Sequence, residues 1–195
     1  ESVVPSIEFE LLPECLVIRN NERGFSHEDV RAICDVGRST KTDAHAGDCG
    51  HSQARGGEKG IGFKAVFRVT DEPRIHSNGF DIRFSAFSKP VAYILPQWIT
   101  PEPEYERKNW NTTMVLPWRP AVRDKLEDFA AQLSSIEPSS VLFLRRLRSV
   151  RIVDHITNRT VNITISCKHH DMQQSTNKIQ ERTLIANGEE SRWLM

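Results

Sequence analysis

GEKGIGFKAVFRVTD, residues 57–71, places three glycines (Gly57, Gly60 and Gly62) within six positions and runs straight into an amphipathic segment. Glycine lets a backbone adopt positive φ and approach a pyrophosphate closely. The unpaired N–H groups and dipole of a following helix attract negative charge. Phe63, Val66 and Phe67 recur at i, i+3 and i+4, which predicts a helix over residues 62–69 with those side chains inward. Lys59 and Lys64 flank the glycines as possible counter-charges. No Gly-Lys-Ser/Thr triplet follows at Walker spacing, and no clear strand leads in, as a dinucleotide fold demands. Read alone, the stretch is better explained as a flexible loop before a tightly packed helix.

The neighbouring segments give it a context. Residues 37–57, GRSTKTDAHAGDCGHSQARGG, hold almost no large apolar side chain. A structureless loop of about twenty residues is usually a functional lid or disordered. Before it, Ser26 is a good N-cap with Asp29 three residues on, predicting a helix over 26–36 with Val30, Ile33 and Cys34 on one face. NNERGF (20–25) is a polar turn, and residues 6–20 read as a β-hairpin turning at Pro13-Glu14. Downstream, Asn78-Gly79 between alternating runs signals a second hairpin. Further strands are expected over 91–95, 112–116, RSVRIVD (148–154) and 158–167, with an irregular excursion over 96–110. An amphipathic helix over 121–133 would turn Val122, Leu126, Phe129, Ala130 and Leu133 inward. The last stretch is polar and carries no assignment. Antiparallel hairpins with helices on one side predict an α/β two-layer sandwich built on a mostly antiparallel mixed sheet.

Composition bounds the partners. Among 195 residues, Lys+Arg and Asp+Glu are both 26, so the net charge is zero, without the basic excess of a duplex nucleic-acid binder. The locally basic RRLRSVR reads as solvent-facing arginines beside a strand. No apolar run approaches a membrane span. Cys15, Cys34, Cys49 and Cys167 form no CxxC pair, which favours a reduced, intracellular chain, cytoplasmic or nuclear. The sequons at Asn111, Asn158 and Asn162 are taken as chance. Neither the His45/Cys49/His51 cluster nor Cys167/His169/His170 supplies four zinc ligands, so no metal residue is assigned.

In order, NNERGF, DVGRSTK (35–41), GEKGIGFKAVFRVTDEPRIHSNGF (57–80) and WNTTMVLP (110–117) resemble the GHKL superfamily, whose nucleotide fold is the Bergerat fold. Within it they closely resemble the sacsin and NO VEIN group of Hsp-ninety-like ATPase domains. The likeness covers about residues 5–155. It divides the chain into a GHKL-type ATP-binding domain, 1–155, and a hairpin extension or start of a next domain, 156–195.

The resemblance implies a nucleotide site. The family's D-x-G-x-G box falls on Asn20 to Gly24, with Asn20 in place of the adenine-binding Asp and Glu22 in place of the first Gly. An amide oxygen can still accept from the adenine amino group, without the charge. Residues 37–57 match the ATP lid, from which Ser39, Thr40 and Lys41 could reach the nucleotide. Gly57, Gly60 and Gly62 match the phosphate box, with Lys59, Phe63 and Lys64 beside it, and Thr112 (or its neighbour Thr113) matches the threonine that helps hold adenine. The family's Mg²⁺-ligating, water-activating E-x-x-x-N helix lies before the first strand. The chain opens on Glu1 rather than Met with five residues before Ser6, so a fragment is expected and no catalytic or metal residue is assigned here. The implied cofactor is ATP, with Mg²⁺ in the parent protein if the upstream helix exists. The expected function is ATP binding within a larger, chaperone-like intracellular protein that hydrolyses ATP, working with its other domains and possible protein clients. The alternatives are a degenerate, non-hydrolysing scaffold for protein–protein interaction and, more remotely, an RNA-binding domain.

Overall fold

The computed structural model describes residues 3–34, 63–88, 94–105, 107–144, 146–169 and 180–194. Among the described residues ten strands form one mixed sheet: β1 Ser6–Leu11, β2 Cys15–Asn20, β3 Arg74–Ser77, β4 Phe80–Arg83, β5 Gln97–Trp98, β6 Thr112–Pro117, β7 Ser149–Asp154, β8 Arg159–His169, β9 Gln180–Ala186 and β10 Glu189–Leu194. Their order is β10-β9-β8-β7-β1-β2-β6-β3-β4-β5. Among these pairs only β1 with β7 is parallel. Among the described residues the helices are few and short: α1 His27–Cys34, α2 Pro120–Arg123 and α3 Leu126–Ser134, with 3₁₀ helices at Phe63–Arg68 and Pro138–Phe143.

Turn chemistry explains the hairpins. Leu12 N–H donates to Cys15 O across Pro13-Glu14, and the Trp118 indole N–H donates to Leu12 O, closing β1–β2. Asn78 (φ 50) and Gly79 (φ 79) both lie in the left-handed region that a two-residue I′ turn needs. Asn187 (φ 50) and Gly188 (φ 92) repeat this between β9 and β10, two strands that the sequence reading left unassigned. Strands β8–β10 extend the same sheet beyond residue 155. Of the strand expected at 91–95, only Ile94 and Leu95 are described, and they lie in a turn and bend before the two-residue β5.

Two predicted helices differ from expectation. The 121–133 segment is split: α2 ends at Arg123 with Asp124 as its C-cap, and Lys125 (φ −128, ψ 30) leaves helical geometry before α3 begins. The predicted stripe survives the break, because Val122, Leu126, Phe129, Ala130 and Leu133 all pack into one core with Leu11, Leu16, Leu116, Trp118, Ile152, Ile163 and Leu184. The segment after the glycines is a 3₁₀ helix of six residues rather than an α-helix. Bulky Phe63 and Phe67 go to a second core with Ile75, Ile82, Phe84 and the α1 residues Val30, Ile33 and Cys34, while Val66 goes to the first. The packing that pulls these side chains apart overrides helical propensity, as tertiary context commonly does. Met114 touches both cores.

The other sheet face holds charge. Glu8 and Glu10 alternate with Ile7, Phe9 and Leu11, as an amphipathic strand should, yet both carboxylates are buried. Arg19, 1% exposed, donates to Glu8 at 3.0 Å and Glu10 at 2.6 Å, and its Nε donates to Tyr105 O at 2.9 Å. Arg107 and His155 also meet Glu10, and Arg151 meets Glu8. Tyr105 also packs on Cys15, Val17 and Val115, so the irregular 99–110 excursion covers this face. Further along it, His76 is held by Asp81 (2.7 Å) and Glu102 (3.1 Å), and Glu102 also pairs with Arg74.

Breaking a buried ion pair from one side strands the partner charges and costs about 3–5 kcal/mol. Arg19→Ala should therefore lower unfolding free energy by about that amount in urea titration; a loss under about 1 kcal/mol would show the network to be dispensable. Burial raises the Glu10 pKa, but hydrogen bonds from Arg19 and His155 outweigh it and hold the carboxyl below its ordinary 4.5. A depressed folded-state pKa adds stability above 4.5 that is lost as pH falls through the folded value. Stability should thus drop as the pH falls below 4.5, and Glu10→Gln should flatten that drop.

Candidate functional site

β2 ends at Asn20, which lies directly opposite Thr112, the first residue of β6; Thr112 in turn faces Ser77, the last residue of β3. Strand alternation puts Asn20 on the side of Leu16 and Ile18, Thr112 on that of Met114 and Leu116, and Ser77 on that of Ile75. All of these apolar residues belong to the helix-bearing cores. One row of polar side chains therefore closes the end of the sheet beneath the helices. The Asn20–Thr112 juxtaposition was legible as two motif positions; their being hydrogen-bonded-strand neighbours is a fact of the fold.

Ser77 is the hub of the row. Its Oγ accepts the Phe25 N–H at 2.8 Å, lies 3.2 Å from Asn111 O and 2.7 Å from Thr112 Oγ1. Ser77 and Thr112 are both buried, Thr112 at 1% exposure. Asn20 Oδ1 accepts the Glu22 N–H at 3.3 Å, a long contact that bends the chain out of β2.

Three side chains hold the 21–25 turn from below. Asn78 Nδ2 donates to Arg23 O (2.8 Å) and Phe25 O (3.1 Å), Asn111 Nδ2 donates to Glu22 O, and Ser77 takes Phe25 N–H. Gly24 sits at φ +79 against this cradle, where an added Cβ would meet Asn78 Cγ at 2.6 Å. Only glycine satisfies both constraints. The turn then feeds α1 through a capping box: Asp29 N–H donates to Ser26 Oγ, and Ser26 N–H donates to Asp29 Oδ2. Burial raises the Asp29 pKa, but the bonds from Ser26 and the charge of Arg23 bring it below its ordinary value.

Sequence reasoning missed Ser77, Asn78 and Asn111. The Asn-Gly signal located Asn78 in a turn, but not its bonds to a segment more than fifty residues earlier. Ser39, Thr40, Lys41, Gly57, Lys59, Gly60 and Gly62 lie outside the described residues. Phe63 packs on Phe84 with centroids 5.3 Å apart. Lys64 holds its ammonium over the rings of Phe84 (5.2 Å) and Phe63 (5.6 Å), where burial lowers its pKa. Reaching a phosphate would mean giving up that packing. The described helix, Phe63–Arg68, is 3₁₀, and the approach to it from the glycines lies outside the described residues. Cys15 offers no nucleophile, because burial pushes its thiol up to about 11. Among the described residues no helix is long and apolar enough to cross a membrane.

No family model matches the chain. The chain is similar to Protein NO VEIN of Arabidopsis thaliana, with 38% identity over 165 residues that cover 77% of this chain and 6% of that protein. The chain thus spans a small fraction of the relative it matches. The likeness supports the NO VEIN side of the resemblance carried by the four motifs.

Two glycines with the same φ separate the turn's requirements. Gly79→Ala, with φ +79 and nothing within 4 Å, should cost only the backbone penalty, about 1 kcal/mol. Gly24→Ala should cost about 2–3 kcal/mol by adding the Asn78 collision. Thermal unfolding of the two variants compares them; equal losses would mean the turn relaxes away from Asn78.

Proposed function

We propose that this chain is an ATP-binding module of a larger protein, with the two-layer Bergerat arrangement of the GHKL superfamily. The observation that carries the proposal is the Asn20–Thr112–Ser77 row, which closes the sheet on its helix-bearing face beside the glycine-dependent 21–25 turn. The two motif positions that the resemblance assigns to adenine are there cross-strand neighbours. In this reading the base meets Asn20 and Thr112, and the phosphates meet the backbone of Gly57, Gly60 and Gly62, with Lys41, Lys59 or Lys64 as counter-charge. Thr112 is buried, so a base reaches it by displacing its present cover. Binding and a local rearrangement are then the same event, as in proteins whose lids close on nucleotide. The resemblance places Mg²⁺ and the activation of water on an E-x-x-x-N helix upstream of β1, so no residue of this chain is assigned to either. ATP hydrolysis, chaperone-like work on protein clients and an intracellular setting belong to the proposal for the parent protein.

A specific observation favours a second reading, a non-hydrolysing scaffold. Thr112 is buried with its hydroxyl on Ser77, and the Asn20 amide oxygen is engaged by Glu22, so these polar groups are satisfied without a ligand.

Calorimetric titration of ATP and ADP, each with and without Mg²⁺, separates the two. The ATP reading expects saturable heat with both nucleotides, similar affinity with and without Mg²⁺, and about fivefold weaker binding after Asn20→Ala, the loss of one neutral hydrogen bond. Absence of heat with either nucleotide would leave the scaffold standing.

A further inference from the structure

We propose that Ser77 is a positioning residue that fixes the hydrogen-bond polarity of Thr112, and that this pair, rather than Asn20, selects an amino over an oxo group at position 6 of a bound purine. The inference deepens the nucleotide reading and rests on it.

Proton counting carries the argument. Ser77 Oγ touches Phe25 N, Asn111 O and Thr112 Oγ1. The Phe25 amide can only donate and the Asn111 carbonyl can only accept. Ser77 therefore accepts from Phe25 and gives its single proton to Asn111. The 2.7 Å contact is then satisfied only if Thr112 donates into the remaining lone pair of Ser77. One proton arrangement satisfies all three contacts, and it runs Thr112 to Ser77 to Asn111. Thr112 Oγ1 has then spent its proton and offers lone pairs alone.

Such an oxygen welcomes the N–H donor of a 6-amino purine and repels a 6-oxo group set at the same point, so a 6-oxo purine must shift to offer its N1–H instead. Asn20 has no such bias. Its amide can turn to present either oxygen or nitrogen, and the 3.3 Å contact from Glu22 N–H holds it loosely. The carboxylate that the family's motif carries at this position accepts only. Replacing it with an amide removes discrimination there and leaves it to the locked hydroxyl one strand over.

The test is the ratio of affinities for ATP and inosine triphosphate, measured by calorimetry on the 195-residue chain. The expected ratio is about tenfold in favour of ATP. Ser77→Ala frees the Thr112 proton to turn toward a 6-oxo group, so the ratio should fall to about one. Thr112→Val, close to isosteric and thus a safeguard should Ser77→Ala fold poorly, should do the same. Asn20→Ala should weaken both nucleotides alike and keep the ratio. Equal wild-type affinities, or a ratio that survives Ser77→Ala and Thr112→Val but disappears with Asn20→Ala, would overturn the inference while leaving nucleotide binding intact. Failure of the wild-type chain to bind either nucleotide would overturn both.

Discussion

A guanidinium buried in the middle of the sheet sets the terms for the rest of the structure. Arg19 lies between Glu8 and Glu10, and its own strand lies between β1 and β6. Charges removed from water are costly unless paired and hydrogen-bonded. Here Arg107, Arg151, His155 and the Tyr105 carbonyl complete the set. That requirement dictates register. Sliding β2 by one residue would drive Arg19 into the apolar core and turn Leu16 and Ile18 toward the carboxylates. Tyr105 and Arg107 bring the segment after β5 over this face, Tyr105 packing beside Cys15, Val17 and Val115 and Arg107 meeting Glu10.

The candidate site inherits this precision. Asn20 is the residue after Arg19, so the register that seats the arginine also sets Asn20 against Thr112 and Thr112 against Ser77. The same cross-strand row that puts Thr113 beside Arg19 runs on to His76 and Asp81. The two faces thus divide the labour. The charged face fixes alignment, and the helix-bearing face places at one end of the sheet the few polar groups that could meet a ligand. The turn between β2 and α1 is then held by side chains from β3, the β3–β4 turn and the residue before β6, a convergence that needs the whole central sheet to be assembled.

Much of the local structure was legible. Ser26 and Asp29 announced a capping box because both partners lie within one turn of helix. Asn78-Gly79 announced a hairpin because positive φ at two successive positions suits few residues. Asn187-Gly188 carried the same signal, and its polar flanks hid β9 and β10, of which β10 ends the sheet order and β9 lies between β10 and β8. The break at Lys125 and the 3₁₀ form of Phe63–Arg68 were not legible, because each reflects where neighbouring elements pull the apolar side chains. The burial of Glu8 and Glu10 was not legible either, because a strand pattern reports only which residues share a side, not what covers that side.

By itself, then, the sequence determined the strands and turns with strong local chemistry, the apolar stripes that face the core, and the motif order that resembles a nucleotide-binding family. These are short-range matters of φ/ψ preference and periodicity. Only the tertiary structure decided the parallel pairing of β1 with β7, the burial of the Arg19 network, the gathering of Ser77, Asn78 and Asn111 beneath the 21–25 turn, and the contact of the Ser77 hydroxyl with Phe25, Asn111 and Thr112 at once. Each of these joins residues distant in the chain, and hydrogen-bond polarity at a buried hydroxyl depends on every partner being in place at once.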